Sequence, residues 1–425
     1  PPPPPPPPPP TTYSSSAASD VYKRQGVYVK NFQAMYPFEG YVIETVSCGA
    51  QVIHIGLRRD GRRALKCPDC DRAMARTRET TRRCYDLSGG VGTVVCIDYP
   101  NIQGYCSWCK TYPMVRPSEV HPTRRATWRL MRFVSILARF VPMDAMAGIC
   151  GVPAATAWRF DRDVLENDLP QPELDGIRAI LVDEKSVRRG HGYVTLVLNA
   201  DTGELPHMKE GKKKASLTCF FDRLTPAQKA SIEAVCIDRA GAYKSAVAEH
   251  LPEAEVVYDR FHLMANLGNA IDQVRREEYR DASGADKAVI KGQRYNLLRN
   301  PENLTDEGEQ SLGKLLAINE NLGIAHLLKD QFRLTWTYQS VAWARKHLLA
   351  WVALAEAAAI APLTKFAHGG AKDVEGIVAW CKHRITNGLI EGFNSIVSKV
   401  IFKARGLRSL NYLYLKLRQE SLLQL

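Results

Sequence analysis

Two aspartates and two pairs of cysteines carry the chemistry most directly legible in this chain. Ile177-Arg-Ala-Ile-Leu-Val-Asp183-Glu184 is a short apolar run that stops at two carboxylates, and Ala234-Val-Cys-Ile-Asp238 repeats the pattern further on. Each reads as a buried strand delivering an acid at its tip. Carboxylates are costly away from water unless paired or metal-bound, and if the two runs are neighbours in one sheet, Asp183 and Asp238 meet at one edge. Repulsion then keeps both ionised only if cations bridge them. Two-metal phosphoryl transfer needs that arrangement, with hard oxygens holding Mg²⁺ or Mn²⁺ against a phosphate. The alternative is that each aspartate merely caps the helix after it. Cys67-Pro-Asp-Cys70 and Cys106-Ser-Trp-Cys109 form two C-x₂-C pairs. Each pair puts two soft thiolates on one tight turn, so that two turns close a Cys₄ shell around a structural Zn²⁺; the alternative is four unrelated buried cysteines.

The segments between these residues must position them. His191-Gly-Tyr-Val-Thr-Leu-Val-Leu-Asn-Ala reads as a strand, Asp201-Thr-Gly203-Glu as a hairpin turn and Leu205-Pro-His-Met-Lys as the returning partner. A helix begins just past Asp238. Ala254-Glu-Val-Val-Tyr-Asp259 is a further strand ending in an acid, and the helix after it carries His262. Arg188, Arg189, Lys212, Lys213 and Lys214 fall in turns near the acidic edge, where they suit a DNA backbone or form only a solvated loop. Upstream, Tyr41-Val-Ile-Glu-Thr-Val and Gln51-Val-Ile-His-Ile-Gly-Leu are short strands leading into the first cysteine pair. Strands flanking two metal knuckles describe a zinc ribbon. Arg58, Arg59, Arg62, Arg63, Arg72, Arg76, Arg78, Arg82 and Arg83 crowd it, as a phosphate-tracking surface or a solvated face would.

Thr123 to about Glu166 reads as helical, with Trp128, Met131, Phe133, Val134, Leu137 and Phe140 as an apolar face. A short helix, a turn at Gly151 and a second helix opened by Pro153 follow helix-turn-helix grammar. Thr156 and Arg159 would then face bases or phosphates; the alternative is a packing hairpin. Pro170-Gln-Pro172 marks a linker. From about Glu277 to Ile385 the chain is rich in helix formers, and the spacing of Trp336, Trp343 and Trp351 predicts one shared helical face. That stripe is either a clamp for splayed bases or part of a helical core.

At 425 residues the chain has room for several domains, and 45% hydrophobic with 24% charged residues describes a soluble globular protein. A net charge of +12 suits a polyanionic partner. Eleven cysteines over this length do not read as a secreted disulfide framework, and the seven outside the C-x₂-C pairs read mostly as core thiols. No run is long and apolar enough to span a bilayer and no secretory signal is evident, which leaves the cytoplasm as the default compartment. The ten leading prolines and the residues to Gln25 cannot build a core and are set aside as a probable artefact tail, with the native start lost or near Met35.

Five segments stand in an order that resembles one family: Val182-Asp183-Glu184-Lys-Ser, the hairpin after His191, Ile237-Asp238-Arg-Ala-Gly-Ala-Tyr243, Tyr258-Asp259-Arg-Phe-His262-Leu and Thr386-Asn-Gly-Leu-Ile-Glu391-Gly-Phe-Asn394. With a zinc ribbon and a helix-turn-helix upstream, the chain from about Phe38 onward resembles the DDE transposases of bacterial insertion sequences, in the zinc-ribbon group known as the ISL-three family. The resemblance implies a multidomain α+β protein: a zinc ribbon over 38–116, a DNA-binding helix-turn-helix over 123–168 and an RNase H-like α/β catalytic core over 175–280. An all-helical insertion over 281–384 and a final catalytic helix over 385–425 complete it. It also implies Asp183, Asp238 and Glu391 as a catalytic triad for two Mg²⁺ or Mn²⁺, with Asp259, His262 and Asn394 supporting it. Expected partners are double-stranded DNA, as terminal inverted repeats and target, and further copies of the chain in a homodimer or higher oligomer on DNA. The expected setting is the bacterial nucleoid. Two rival readings are a catalytically inactive regulator derived from such an enzyme and an RNase H-like nuclease acting on RNA or hybrids; the duplex-reading helices favour the latter less.

Overall fold

The structure is a computed structural model that describes residues 31–49, 51–88, 93–188, 192–239, 241–406 and 409–422. The leading tail, Arg189 and His191 lie outside the described residues. The fold is mixed α/β with two mixed sheets, and the chain forms two compact units that change over between Leu169 and Pro170, with Lys403–Arg405 grouped with the first.

The first unit opens with strands β1 (Tyr41–Cys48), β2 (Val52–Arg59), β3 (Ala75–Asp86), β4 (Val94–Tyr105) and β5 (Met114–Val115). They lie in the order β1-β2-β4-β3, with β5 on β4 and only β2 and β4 parallel. One face is apolar, through Tyr41, Ile43, Ile55, Leu57, Val95 and Ile97. Helices α1 (Trp128–Leu137), α2 (Met143–Cys150) and α3 (Ala154–Asp168) follow. Their shared core holds Leu130, Met131, Val134, Met146, Ala157, Phe160 and Val164, and Thr127 caps α1 by accepting from Leu130 N–H. The helical region is therefore shorter than expected at its start, and Phe140, past the end of α1, is exposed. Between α2 and α3 the chain turns at Gly151, whose φ of 65° is left-handed and free of strain only without a Cβ. Pro153 precedes α3, where its fixed φ suits a helix start and its missing N–H costs nothing.

The second unit is built on β6 (Ala179–Arg188), β7 (Gly192–Asn199), β8 (His207–Glu210), β9 (Ala234–Ile237) and β10 (Glu255–Tyr258). Their order is β10-β9-β6-β7-β8. β6, β7 and β8 form an antiparallel meander, whereas β9 and β10 run parallel to β6. Helices α4 (Lys214–Phe221), α5 (Pro226–Ser231), α6 (Gly241–His250) and α7 (Arg260–Asp281) connect and follow them. One expectation needs correcting: β6 does not stop at its carboxylates but runs on to Arg188, because β7 continues to pair with it past the point where β9 ends.

A helical segment follows, with α8 (Gly284–Ile290), α9 (Arg294–Leu298), α10 (Asp306–Ile318), α11 (Glu320–Leu334), α12 (Val341–Ala357), α13 (Ala361–Lys372), α14 (Val374–Val378) and α15 (Trp380–His383). Then come α16 (Gly388–Lys403) and α17 (Leu410–Ser421). The three tryptophans do not share one helical face. Trp336 sits in a 3₁₀ turn before α12, buried edge-on against Trp380, and the break in the helix resets the phase. On α12 itself Trp351 is 1% exposed and donates to Leu328 O at 2.7 Å, while Trp343 is 60% exposed.

Trp351→Ala is therefore expected to cost about 3–5 kcal/mol in equilibrium unfolding of this segment, and Trp343→Ala less than about 0.5 kcal/mol. Equal losses for the two would refute the burial contrast.

Candidate active site

The parallel register between β6 and β9 pairs Leu181 with Cys236, so Asp183, inside β6, and Asp238, just past the end of β9, each lie two residues beyond that pair. Asp238 follows the last residue of β9 directly. The half-buried Asp183 accepts the Glu184 N–H at 2.8 Å on one oxygen and the Asn394 amide at 2.6 Å on the other. Asn394 comes from α16, one turn after Glu391. Ile390, Phe393 and Val397 bury one face of that helix, which fixes its rotation and leaves Glu391 and Asn394 on the side toward Asp183.

The start of α16 is held by Asp259. This carboxylate is 1% exposed; one oxygen caps α7 by accepting the His262 N–H at 3.0 Å and the other accepts the Asn387 N–H at 3.2 Å. Asp259 thus caps a helix, the role weighed above for Asp183 and Asp238. The Asp259, His262 and Glu391 ligand atoms all lie within 4.8 Å of one another, whereas Asp183 and Asp238 stand outside that group. His262 also faces Asp183 electrostatically, as does Asp238.

Charge is crowded here. Burial pushes the Asp183 carboxyl above its usual range, with the Glu184 N–H and the Asn394 amide offsetting it in part. Burial also raises Glu391, and the neighbouring Asp259 carboxylate adds to the shift. Buried polar atoms are left over as well: among the described residues the acceptors Asn394 Oδ1 and Asn387 Oδ1, and the donor Asn387 Nδ2, have no hydrogen-bond partner. Several carboxyls held up by burial, next to orphaned oxygen acceptors, fit hard divalent cations by donor chemistry.

The basic residues are placed less uniformly. Arg188 is exposed at the end of β6. Lys212 lies over the Tyr193 ring at 4.3 Å, Lys213 precedes α4, and Lys214 is drawn into an ion pair with Glu249. The three lysines are thus not three equivalent free charges. In the first unit, Thr156 is half-buried and Arg159 exposed on α3.

Two contributors carry no role in the sequence reading. Tyr243, 1% exposed, bonds Thr195 Oγ1 at 2.8 Å and lies against Glu184 beside the acidic edge. Its place in the Asp238 motif was the available signal. Asp373 left none. From the helical segment it receives Arg239 Nε at 2.9 Å, Lys244 Nζ at 3.0 Å and the Tyr258 hydroxyl at 3.1 Å, and so clamps the residue next to Asp238. Burial opposes ionisation of Asp373, but the Lys244 and Arg239 hydrogen bonds outweigh it and hold the carboxyl low.

In the first unit, Cys67, Cys70, Cys106 and Cys109 bring their sulfurs within 4.8 Å of one another. The two turns are built alike. Asp71 N–H donates to Cys67 O at 2.9 Å and Lys110 N–H to Cys106 O at 2.8 Å, with left-handed φ of 60° and 55° at Asp71 and Lys110. The Cys109 N–H reaches Cys106 Sγ at 3.4 Å and pulls that thiol down to about 7. Four converging sulfurs with N–H support fit Zn²⁺. Of the other seven cysteines, Cys84, Cys96, Cys236 and Cys381 are buried, while Cys48 is exposed. Among the arginines around this module, Arg58, Arg62, Arg63, Arg76 and Arg83 pair with nearby acids at the surface, and Arg72 stacks on Trp108 at 3.5 Å.

Protein prepared without chelator is expected to carry one Zn²⁺ per chain by elemental analysis, and Cys67→Ser or Cys106→Ser to release it with loss of the surrounding structure. Metal-free wild-type protein with that region folded would refute the Cys₄ site.

Comparison with known proteins places these features. The family model described as a transposase, of the DDE ISL3 type, matches residues 180–417, more than half of the chain, including Asp183, Asp238, Asp259 and Glu391. The transposase for insertion sequence element IS1001 of Bordetella parapertussis is 30% identical over 396 residues, covering 92% of this chain and 97% of that protein. The transposase for insertion sequence element IS1557 of Mycobacterium tuberculosis is 30% identical over 256 residues, covering 55% and 57% respectively. With its acidic edge inside the matched region and near full-length similarity to a relative of this kind, the chain belongs to the ISL3 family of DDE transposases.

Proposed function

We propose that this transposase binds the ends of its insertion sequence as duplex DNA and cuts and rejoins phosphodiester bonds at Asp183, Asp238 and Glu391. The observation that carries the reading is α16: it brings Asn394 onto Asp183 and Glu391 alongside, where the register already sets Asp183 and Asp238 each two residues beyond one paired position. These three carboxylates would hold two Mg²⁺ or Mn²⁺, which activate the attacking oxygen and neutralise the leaving one in phosphoryl transfer. Asn394 orients Asp183 by donating to it, and Asp259 fixes the helix that presents Glu391. The sheet order β8-β7-β6-β9-β10, a meander continued by parallel strands, supports an RNase H-like core.

Recognition is assigned to the first unit. The Cys₄ cluster, with zinc, makes a ribbon, and α2, Gly151 and α3 make a helix-turn-helix with α3 in a major groove. Exposed Arg159 and neighbouring Thr156 contact bases or phosphates, and Arg188, Lys212 and Lys213 contact backbone near the catalytic edge. Cutting and joining two ends calls for more than one copy of the chain on DNA. Among the described residues no helix is long and apolar enough to cross a membrane.

Asp183→Asn, Asp238→Asn and Glu391→Gln each remove an anionic ligand while keeping shape. In assays on DNA carrying the inverted repeats that flank the gene, each is expected to retain end binding and to lose cleavage by about 100-fold or more. Wild-type protein that binds ends and nicks none would instead be a regulator, and a Glu391→Gln protein that cuts normally would move the third acid elsewhere. Arg159→Ala is expected to weaken end binding by about 1–3 kcal/mol in gel shifts; unchanged affinity would remove α3 from the groove.

A further inference from the structure

The side chains clustered with the third acid are not the aspartates of the triad but Asp259 and an imidazole, that of His262. Among the described residues, Asp259, His262 and Glu391 form the one cluster outside the cysteines whose ligand atoms all come within 4.8 Å of one another. We propose that His262 ligates, through its ring nitrogen, the divalent cation held by Glu391, giving that half of the site a mixed nitrogen and oxygen donor set. Such a set takes a first-row dication such as Mn²⁺ in preference to Mg²⁺. This rests on the reading of Asp183, Asp238 and Glu391 as a cation site and assigns one further ligand within it.

Position, access and spare capacity all support it. The His262 backbone N–H is fixed by Asp259, so the residue is anchored at the first turn of α7. Its side chain is 44% exposed, within reach of an ion that arrives from solvent. Its ring makes no hydrogen bond to protein among the described residues, the nearest carboxylate oxygen, of Asp259, standing 4.0 Å away. A structural histidine in a core is normally satisfied through its ring; this one is held by its backbone while the ring stays uncommitted among Asp183, Asp259 and Glu391. Asp259, spent on two backbone N–H groups and buried, is the poorer ligand of the cluster. Asn394 Oδ1, buried and without a partner on the same helix as Glu391, leaves room for a further oxygen. Mg²⁺ prefers oxygen ligands and retained water, whereas imidazole nitrogen suits first-row transition ions.

The test uses full-length protein and Mn²⁺ as the probe, read by electron paramagnetic resonance. Bound Mn²⁺ is expected to show ¹⁴N coupling in spin-echo modulation. His262→Ala is expected to abolish that coupling and to raise the Mn²⁺ dissociation constant ~10-fold, with Mg²⁺ competition altered far less. His262→Gln, which offers oxygen in place of nitrogen, is expected to recover part of the Mn²⁺ affinity without the coupling of a directly bound imidazole ¹⁴N. Mn²⁺ bound to wild-type protein with no nitrogen coupling overturns the His262 assignment alone. Wild-type protein whose Mn²⁺ binding is unaffected by Asp183→Asn and Glu391→Gln overturns the underlying cation site instead. Thermal unfolding of the His262 variants, close to wild type because the ring is half-exposed, separates loss of a ligand from loss of fold.

Discussion

A single buried carboxylate ties the second unit of this molecule together. Asp259 accepts one N–H from the first turn of α7 and another from Asn387, the residue before α16, which lies 128 residues beyond Asp259 in sequence. Charge-assisted bonds to backbone donors are among the stronger hydrogen bonds in proteins, and inside a low-dielectric core both ends of such a bond are expensive to leave unmade. Asp259 therefore fixes where α16 starts. Burial of Ile390, Phe393 and Val397 fixes how that helix is turned, and together the two constraints determine where Glu391 and Asn394 can be.

The helical segment between the acids is more than an insertion around which the sheet happens to close. Asp373 gathers Arg239, Lys244 and Tyr258 from the β9–α6 connection, α6 and the end of β10. Arg239 is also packed so closely on Gly369 that a Cβ there would meet its guanidinium at 2.8 Å. The residue beside Asp238 is thus held from the helical side while Asp238 itself is held by the sheet. A segment that clamps the neighbour of one acid and precedes another couples the geometry of the two, so its packing bears on the site.

What the sequence made legible was local in origin. The strands around Asp183, Asp238 and Asp259, the Gly151 turn and the paired cysteines rest on alternation, turn chemistry and fixed spacing within a few residues. The readings that failed needed partners from elsewhere. That β6 continues past Asp183 depends on how far β7 extends, not on the residues of β6. The tryptophan stripe assumed one helix, and a 3₁₀ turn at Trp336 broke the phase. The Glu249 that Lys214 meets on α6 likewise left no trace in the residues around it. Asp373 had no pattern at all, because its partners lie far away in the chain and only the fold makes them neighbours.

The distance between Asp259 and Asn387 has a consequence for synthesis. Asp183, Asp238 and Asp259 all leave the ribosome well before Glu391, on strands that can pair as soon as they emerge. A nascent chain can therefore build the sheet and the first half of the acidic edge while Asp259 still has only one of its two N–H donors. The last carboxylate arrives only after the whole helical segment has been made and α16 has docked. Asp183 and Asp238 therefore stand without Glu391 for as long as the helical segment is still being made, and a chain interrupted within it carries the first unit and an acidic edge that lacks α16.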